Sequence, residues 1–175
     1  MLAWGKVVSE DFRDRIIKFG DDLGVDPSFL MACMAFESAR TFSPSIANAA
    51  GSGAVGLIQF MPATAQALGT TTQKLSAMSA VKQLDYVQAY FAPRRGKLKT
   101  LADVYMAILW PVAIGKQGDY VLFDRADASH PQRYIQNAGL DFNKDGLITK
   151  DEATSRVTNL LALGLQPENA TSQPS

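Results

Sequence analysis

One segment of this sequence has no polar face. Residues 29–36 read Phe-Leu-Met-Ala-Cys-Met-Ala-Phe, without a single charged or amide side chain. A helix that is apolar all round is stable only where protein surrounds it on every side. Asp26 and Pro27 come directly before it, a typical N-cap followed by proline at the first helical position. The segment therefore predicts a central, buried helix around which the rest of the chain packs.

The remainder of the sequence indicates short helices separated by Gly and Pro. Ser9, Ser79 and Thr100 each precede apolar residues at helical spacing and predict N-caps. Residues 41–56 are rich in Ser, Asn, Ala and Gly, and we expect an ordered loop there. No alternating strand pattern of convincing length and no internal repeat is present, so the predicted fold class is all-α.

Composition narrows the chemistry. The 17 basic and 17 acidic residues balance, which removes the general electrostatic reason to bind nucleic acid or an anionic membrane. No apolar stretch approaches the roughly 20 residues that would span a bilayer, so no membrane insertion is expected. One cysteine, Cys33, and one histidine, His130, exclude a disulfide framework and a Cys or His metal cage. The chemistry must therefore depend on carboxylates, hydroxyls and amides, and no organic cofactor is predicted.

Glu37 directly follows the apolar segment. Burial there, together with the negative end of the helix dipole, favours the uncharged carboxyl and predicts a raised pKa. A carboxyl group that keeps its proton near neutral pH is what general-acid cleavage of a glycosidic bond requires. The alternative interpretation is a helix-terminal glutamate that turns outward into water.

The sequence that follows Glu37 resembles the lytic transglycosylase family with the soluble-transglycosylase catalytic domain, which has a lysozyme-like fold. The resemblance covers about residues 27–69. The matching positions are Glu37-Ser38, Gly53-Ala54, Gly56-Leu57, Gln59, Met61-Pro62 and Thr64-Ala65.

This resemblance implies a role for three of these residues. Glu37 would act first as general acid and then as general base. Ser38 would help to orient the glutamate or the sugar. Gln59 would line the cleft against the N-acetyl group of the substrate.

Two later tyrosines are further candidates. The family motif Ala-Tyr-Asn-Ala-Gly corresponds here to residues 104–108, Val-Tyr-Met-Ala-Ile, which keep Tyr105 but lack the Asn and the Gly. Tyr134 corresponds to a second tyrosine at the start of a late helix. The resemblance implies that both support the substrate, whereas packing alone would make them ordinary core aromatics with a polar tip.

The distribution of carboxylates bears on the reaction. A two-carboxylate glycosidase needs a second Asp or Glu, and residues 38–84 contain none. We therefore predict that Glu37 cleaves the MurNAc-(1,4)-GlcNAc bond of peptidoglycan alone, and that the muramic acid 6-hydroxyl closes a 1,6-anhydro ring. If Asp103, Asp119 or Asp127 folds back into the cleft, a hydrolytic muramidase is the alternative.

Residues 141–152 match the pattern of an EF-hand calcium loop. Helical segments are expected on both sides, and Gly146 allows the sharp turn. A single loop favours a structural calcium ion over a sensor, which would need a second EF-hand. A polar surface loop that binds nothing is the alternative. The candidate ligands are Asp141, Asn143, Asp145, Leu147 through its carbonyl, Thr149 and Glu152.

Together these observations predict a monomeric, lysozyme-like catalytic domain over 1–165, with a flexible tail at 166–175. A calcium-dependent module that binds glycan without cutting it is the alternative from another class. The N-terminus lacks the features of a secretory signal. We therefore expect synthesis in the cytoplasm and action on the cell wall in the periplasm, for example by a bacteriophage endolysin or a virion-associated enzyme.

Overall fold

The computed structural model describes residues 1–49 and 51–172. The chain is mostly helical, as predicted, with one small two-stranded sheet. The α-helices are α1 (Glu10–Leu23), α2 (Pro27–Glu37), α3 (Pro62–Ala67), α4 (Thr72–Ser76), α5 (Ala80–Phe91), α6 (Leu101–Leu109), α7 (Pro131–Asn137) and α8 (Lys150–Gly164), and the strands are β1 (Val121–Asp124) and β2 (Leu147–Thr149).

Helix α2 lies at the centre of the core. It packs against α1, α6 and α8, and Ala32 and Met34, which point to nearly opposite sides of it, are both inaccessible to solvent. At its start, the Asp26 carboxylate accepts a hydrogen bond from the Ser28 N–H at 2.8 Å, and Pro27 takes the first position. Each large side chain buried in this way contributes about 1.5–3 kcal/mol, so most of the stability of α2 comes from its neighbours. The predicted buried helix is confirmed.

The predicted helix starts are also confirmed. The hydroxyls of Ser9, Ser79 and Thr100 accept hydrogen bonds from the backbone N–H three residues further on. Gly24 ends α1 with a left-handed backbone conformation, φ 77°, which glycine adopts without steric cost. These ends follow from local chemistry, which is why the sequence predicts them.

The sheet was not expected. Strands β1 and β2 pair antiparallel, with Phe123 opposite Ile148 and an irregularity in the register between Val121 and Phe123. Strands of four and three residues are too short to show an alternating pattern. Strand β2 lies inside the predicted calcium loop, so the pairing attaches that loop to the preceding part of the chain.

The last residues differ from the predicted flexible tail. The Leu2 N–H donates to the Thr171 carbonyl at 2.8 Å, and the Lys6 ammonium donates to the Pro167 carbonyl at 2.6 Å. Ala170 is buried. Residues 166–172 are therefore held against the N-terminus by hydrogen bonds, while residues 173–175 of the predicted tail lie outside the described residues.

Among the described residues, no helix combines the length and the apolar character that crossing a membrane requires.

A buried ion pair connects α6 to α8. The Lys150 ammonium lies 2.8 Å from a carboxylate oxygen of Asp103, and both side chains are about 95% buried, at 4% and 5% exposure. Lys150 also donates to the Lys116 carbonyl, and Asp103 accepts from the backbone N–H groups of Lys99 and Gly115. Burial alone would raise the pKa of Asp103, but these hydrogen bonds outweigh it and hold the pKa below its ordinary value.

We expect Asp103→Asn to destabilise the protein by about 3–5 kcal/mol, because it leaves the Lys150 charge buried without a counter-ion. Urea denaturation at pH 7 measures this. The pH dependence has a defined sign: the pKa of Asp103 is lowered in the folded state, so its contribution is complete above the unfolded pKa and is lost as the pH falls through the folded value.

Two controls accompany this prediction. Asp85→Asn removes a carboxylate from a partly exposed pair with Arg15 and Lys82, and we expect a change of at most about 1 kcal/mol. The double variant Asp103→Leu with Lys150→Met replaces both charges by apolar groups and restores most of the stability. If Asp103→Asn and Asp85→Asn lowered the free energy of unfolding equally, the buried Asp103–Lys150 pair would not be the stabilising interaction proposed here.

Candidate active site

Glu37 is the last residue of α2 and lies where the enclosed helix reaches the surface. Its half-buried side chain lines a cleft of about 300 Å³. The cleft walls come from α2, α6, α7, the turn after α7, and α8. The lining residues are Phe36, Glu37, Tyr105, Leu109, Gln136, Asn137, Gly139, Leu140 and Arg156.

Burial raises the pKa of Glu37 from 4.5 to about 8. At neutral pH the carboxyl therefore keeps its proton, as the sequence predicts for a carboxyl at the end of an apolar helix. Cys33 lies one helical turn earlier and is buried. Burial, with a smaller effect of Glu37, raises the pKa of the Cys33 thiol well above its ordinary value. Cys33 is thus an inert core residue, which agrees with the composition argument.

Tyr105 lies on the same cleft as Glu37. Its ring packs edge-on against Phe36, with ring centroids 5.6 Å apart. Burial, followed by the nearby Glu37 carboxyl, raises the pKa of Tyr105 well above its ordinary value, so the phenol stays protonated. Within the described part of the chain the Tyr105 hydroxyl has no hydrogen-bond partner, which leaves it free to bind a ligand. The structure brings Glu37 and Tyr105 together.

Ser38 does not face the cleft. It is fully buried; its hydroxyl donates to the Met34 carbonyl at 2.6 Å and accepts from the Phe42 N–H at 3.0 Å. This geometry gives no support to a contact of Ser38 with the sugar, and the other predicted role, orientation of Glu37, stays a prediction. Its two bonds connect the end of α2 to the following loop and so hold the backbone next to Glu37.

Gln59 holds the glycine-rich loop. Its side-chain nitrogen donates to the carbonyls of Ile46 and Gly56, both at 3.2 Å, and its backbone is left-handed with φ 52°. The structure does not place Gln59 among the lining residues of the Glu37 cleft. The predicted contact with the substrate has no support in this geometry.

A buried glutamine that sequence reasoning missed supports the same loop. Gln83 on α5 is inaccessible to solvent; it accepts from the Leu57 N–H at 2.8 Å and donates to the Pro44 and Leu75 carbonyls. A side chain at Gly56 would meet the Gln83 amide oxygen at 2.3 Å. The only signal in the sequence is a polar residue on the apolar side of α5, next to Leu84.

Tyr134 does not line the cleft. Its hydroxyl donates to the Asp141 carboxylate at 2.5 Å, so it faces the predicted calcium loop. This geometry gives no support to the predicted contact of Tyr134 with substrate. Gln136 and Asn137, further along the same short helix, line the cleft instead, and the sequence carries no local signal that distinguishes these three positions.

The second carboxylate needed by a hydrolytic mechanism is not on the cleft wall. Asp103 is held in the ion pair with Lys150. Asp127 caps the turn to Ser129 and pairs with His130 on the surface, and Asp119 is exposed elsewhere. Of the residues that the structure describes, Glu37 is the one carboxylate that lines the cleft.

The loop 141–152 has much of the geometry of an EF-hand loop. Gly146 takes φ 91°, and its N–H donates to Asp141 at 3.0 Å. Thr149 and Glu152 form a capping box at the start of α8. The second carboxylate oxygens of Asp141 and Glu152, Oδ1 and Oε1, are buried and have no hydrogen-bond partner. Two unpaired anionic oxygens in one loop are suitable ligands for a hard divalent cation.

The loop is not a preassembled carboxylate cluster. In the described ranges 1–49 and 51–172, no three His, Cys, Asp or Glu side chains converge as a metal centre. Asn143 and Asp145 are exposed and hydrogen-bonded to each other at 3.0 Å. An EF-hand also uses amide, carbonyl and hydroxyl oxygens, so the residues present fit a calcium ion once Asn143 and Asp145 turn inward.

A protein-family model matches part of this chain. The family described as the Transglycosylase SLT domain matches residues 14–98, a range that contains Glu37 and Gln59 but ends before α6. A comparison with curated proteins finds no match. Members of the matched family are peptidoglycan lytic transglycosylases. Together with the mostly helical architecture, the match makes this chain similar to the lytic transglycosylase family over residues 14–98, and this similarity supports an enzyme with peptidoglycan as its substrate.

Proposed function

We propose that this protein is a lytic transglycosylase that cleaves the MurNAc-(1,4)-GlcNAc bond and leaves 1,6-anhydro-muramic ends. The observation that carries the proposal is a protonated Glu37, with a pKa of about 8, in a cleft that contains no second carboxylate among its lining residues. The family match supports peptidoglycan as the substrate. The bacteriophage origin stays a prediction from the sequence.

In this mechanism Glu37 transfers one proton in each direction. It first donates its proton to the glycosidic oxygen, and the bond to the muramic acid C1 breaks. The substrate N-acetyl group stabilises the positive charge at C1, as in known substrate-assisted exceptions to the two-carboxylate rule. The ionised Glu37 then takes the proton of the 6-hydroxyl, whose oxygen bonds to C1. Glu37 ends protonated, and no water is consumed.

The surroundings of Glu37 fit these steps. Burial of the carboxyl keeps the acid form available at neutral pH. The Tyr105 hydroxyl, protonated and without a protein partner, is suited to position the carboxyl of Glu37 or the N-acetyl group. The Ser38 hydrogen bonds limit movement of the backbone that carries Glu37. In this proposal Tyr105 and Ser38 act as positioning residues.

We also propose that the loop 141–152 holds a structural calcium ion. Asp141, Asn143, Asp145, Thr149 and Glu152 would bind it with their side chains, and Leu147 with its carbonyl. The two buried, unpaired carboxylate oxygens support the proposal, because a cation would satisfy them. Bound calcium would hold the connection between α7 and α8, both of which line the cleft.

Product analysis tests the reaction type. We expect digestion of purified peptidoglycan to yield muramic ends that are lighter by one water than hydrolytic ends, because the 6-hydroxyl replaces water as nucleophile. Mass spectrometry of the soluble fragments distinguishes the two. Reducing ends alone would indicate the alternative, a hydrolytic muramidase. Binding to peptidoglycan without any fragment release would indicate the other alternative, a glycan-binding module.

The Glu37→Gln variant tests whether Glu37 is the general acid of the reaction. We expect the rate to fall by at least about 10²-fold, the lower range for loss of a general acid, while Glu168→Gln, an exposed control, leaves it unchanged. In the unmodified protein kcat/KM falls above a pH of about 8, because the ionised Glu37 has no proton to donate. Retained activity in Glu37→Gln would exclude Glu37 as the acid.

The same variant has a stability readout. The pKa of Glu37 is raised in the folded state, so the unfolded chain ionises first, and stability decreases as the pH rises from 4.5 towards about 8. Glutamine does not ionise, so the Glu37→Gln variant does not show this decrease in stability with rising pH. We therefore expect the variant to be more stable than the unmodified protein at pH 7 and about equally stable at pH 4, measured by urea denaturation.

Calcium binding is tested by thermal unfolding. We expect calcium to raise the melting temperature and a chelator to lower it, because a ligand that binds only the folded state stabilises it. Glu152→Gln removes a ligand charge but can keep the capping box, so this variant loses the calcium response without losing the helix start. An unchanged melting temperature with calcium and with chelator would count against the site.

A further inference from the structure

Among the described residues that line the Glu37 cleft, Arg156 is the one cation. Arg156 on α8 lines the cleft and is exposed. One guanidinium nitrogen donates to the Gly139 carbonyl at 2.9 Å, and the guanidinium lies over the Phe142 ring, 5.3 Å from its centroid. These two contacts hold the guanidinium in place but do not neutralise its charge.

Arg156 has no acidic partner. None of the ion pairs formed by the described residues includes Arg156. The other charged group that lines the cleft is Glu37, which is uncharged at neutral pH because burial raises its pKa to about 8. At neutral pH the cleft therefore has a single positive charge, and several N–H donors of Arg156 remain available.

The substrate carries the matching group. The GlcNAc and MurNAc rings of a glycan strand are themselves uncharged, so a guanidinium in the cleft has no counterpart on the sugar rings. Carboxylates occur on the substituent of the muramic acid: on the stem peptide, or on the lactyl group where the stem has been removed. Arginine binds a carboxylate through two parallel, charge-assisted hydrogen bonds.

On this basis, and resting on the proposed function, we propose that Arg156 is a specificity-determining residue that binds a carboxylate on the muramic acid substituent of the strand being cleaved. Its contacts with Gly139 and Phe142 orient the guanidinium, which lowers the entropy lost when the carboxylate binds. Because the contact is made away from the bond that breaks, it contributes to substrate binding rather than to the chemical step.

The experiment compares three glycan strands: strands with intact stem peptides, the same strands after their carboxylates have been converted to amides, and strands stripped of stems so that the lactyl carboxylate is free. On intact strands we expect Arg156→Gln to raise KM about tenfold, the lower range for loss of a charge-assisted hydrogen bond, with kcat little changed. On amidated strands we expect the KM of the unmodified protein to be about tenfold higher than on intact strands. The Arg156→Gln substitution does not raise the KM on amidated strands any further.

Two further variants separate binding from structure. Arg156→Lys keeps the charge and regains part of the affinity. Arg94→Gln is the matched control, because Arg94 also donates to a backbone carbonyl and lies over an aromatic ring, both of Tyr90, but does not line the cleft. We expect Arg94→Gln to leave KM unchanged. Melting temperatures, measured in saturating calcium because Phe142 lies in the loop, confirm that each variant is folded.

The stripped strands identify the source of the carboxylate. A rise in KM for Arg156→Gln that is retained on stripped strands assigns the contact to the lactyl carboxylate, and a rise that disappears there assigns it to the stem peptide. A rise of equal size on amidated strands, or no rise on any strand, overturns the proposal. Absence of cleavage by the unmodified protein would instead refute the proposed function itself.

Discussion

Enclosure of α2 is the constraint on which the rest of this structure depends. A helix without a polar face has to be covered on every side, and α1, α6 and α8 provide the cover. The same enclosure determines the chemistry at its end, because the carboxyl of Glu37 lies where water is largely excluded and keeps its proton to a pH of about 8. Stability of the core and acidity of the site are therefore two results of one burial, and a change that opens the core around α2 would also alter the acid.

The cleft is assembled from two parts of the chain. Residues 14–98, which match the family, contribute Phe36 and Glu37 to it. The facing wall comes from beyond the match, where the Lys150–Asp103 ion pair joins α8 to α6. One helix thus carries Lys150, a ligand of the proposed calcium ion and, one turn later, Arg156. The proposed carboxylate contact of Arg156 and the proposed calcium loop both lie in the part of the chain beyond the family match.

Where the structure differs from what the sequence led us to expect, the reason is tertiary packing. Ser38 follows the proposed acid Glu37 and carries a hydroxyl that could bind a sugar, but the chain turns after α2 and directs this hydroxyl into the protein. Tyr134 and Gln136 lie on the same short helix, and only packing of that helix decided which of them meets the cleft and which meets Asp141. Strands β1 and β2 each pair with a segment distant in sequence, so neither has a local pattern that could reveal it.

The sequence by itself determined the helix starts, the buried course of α2, the position of the candidate acid at its end and the residue types of the 141–152 loop, because each depends on neighbours within a few positions. Tertiary structure alone decided which side chains share the cleft with Glu37. Tyr105 and Arg156 meet there because α6 and α8 both pack on α2, and contacts between residues so far apart in sequence are determined by how whole helices fill the core.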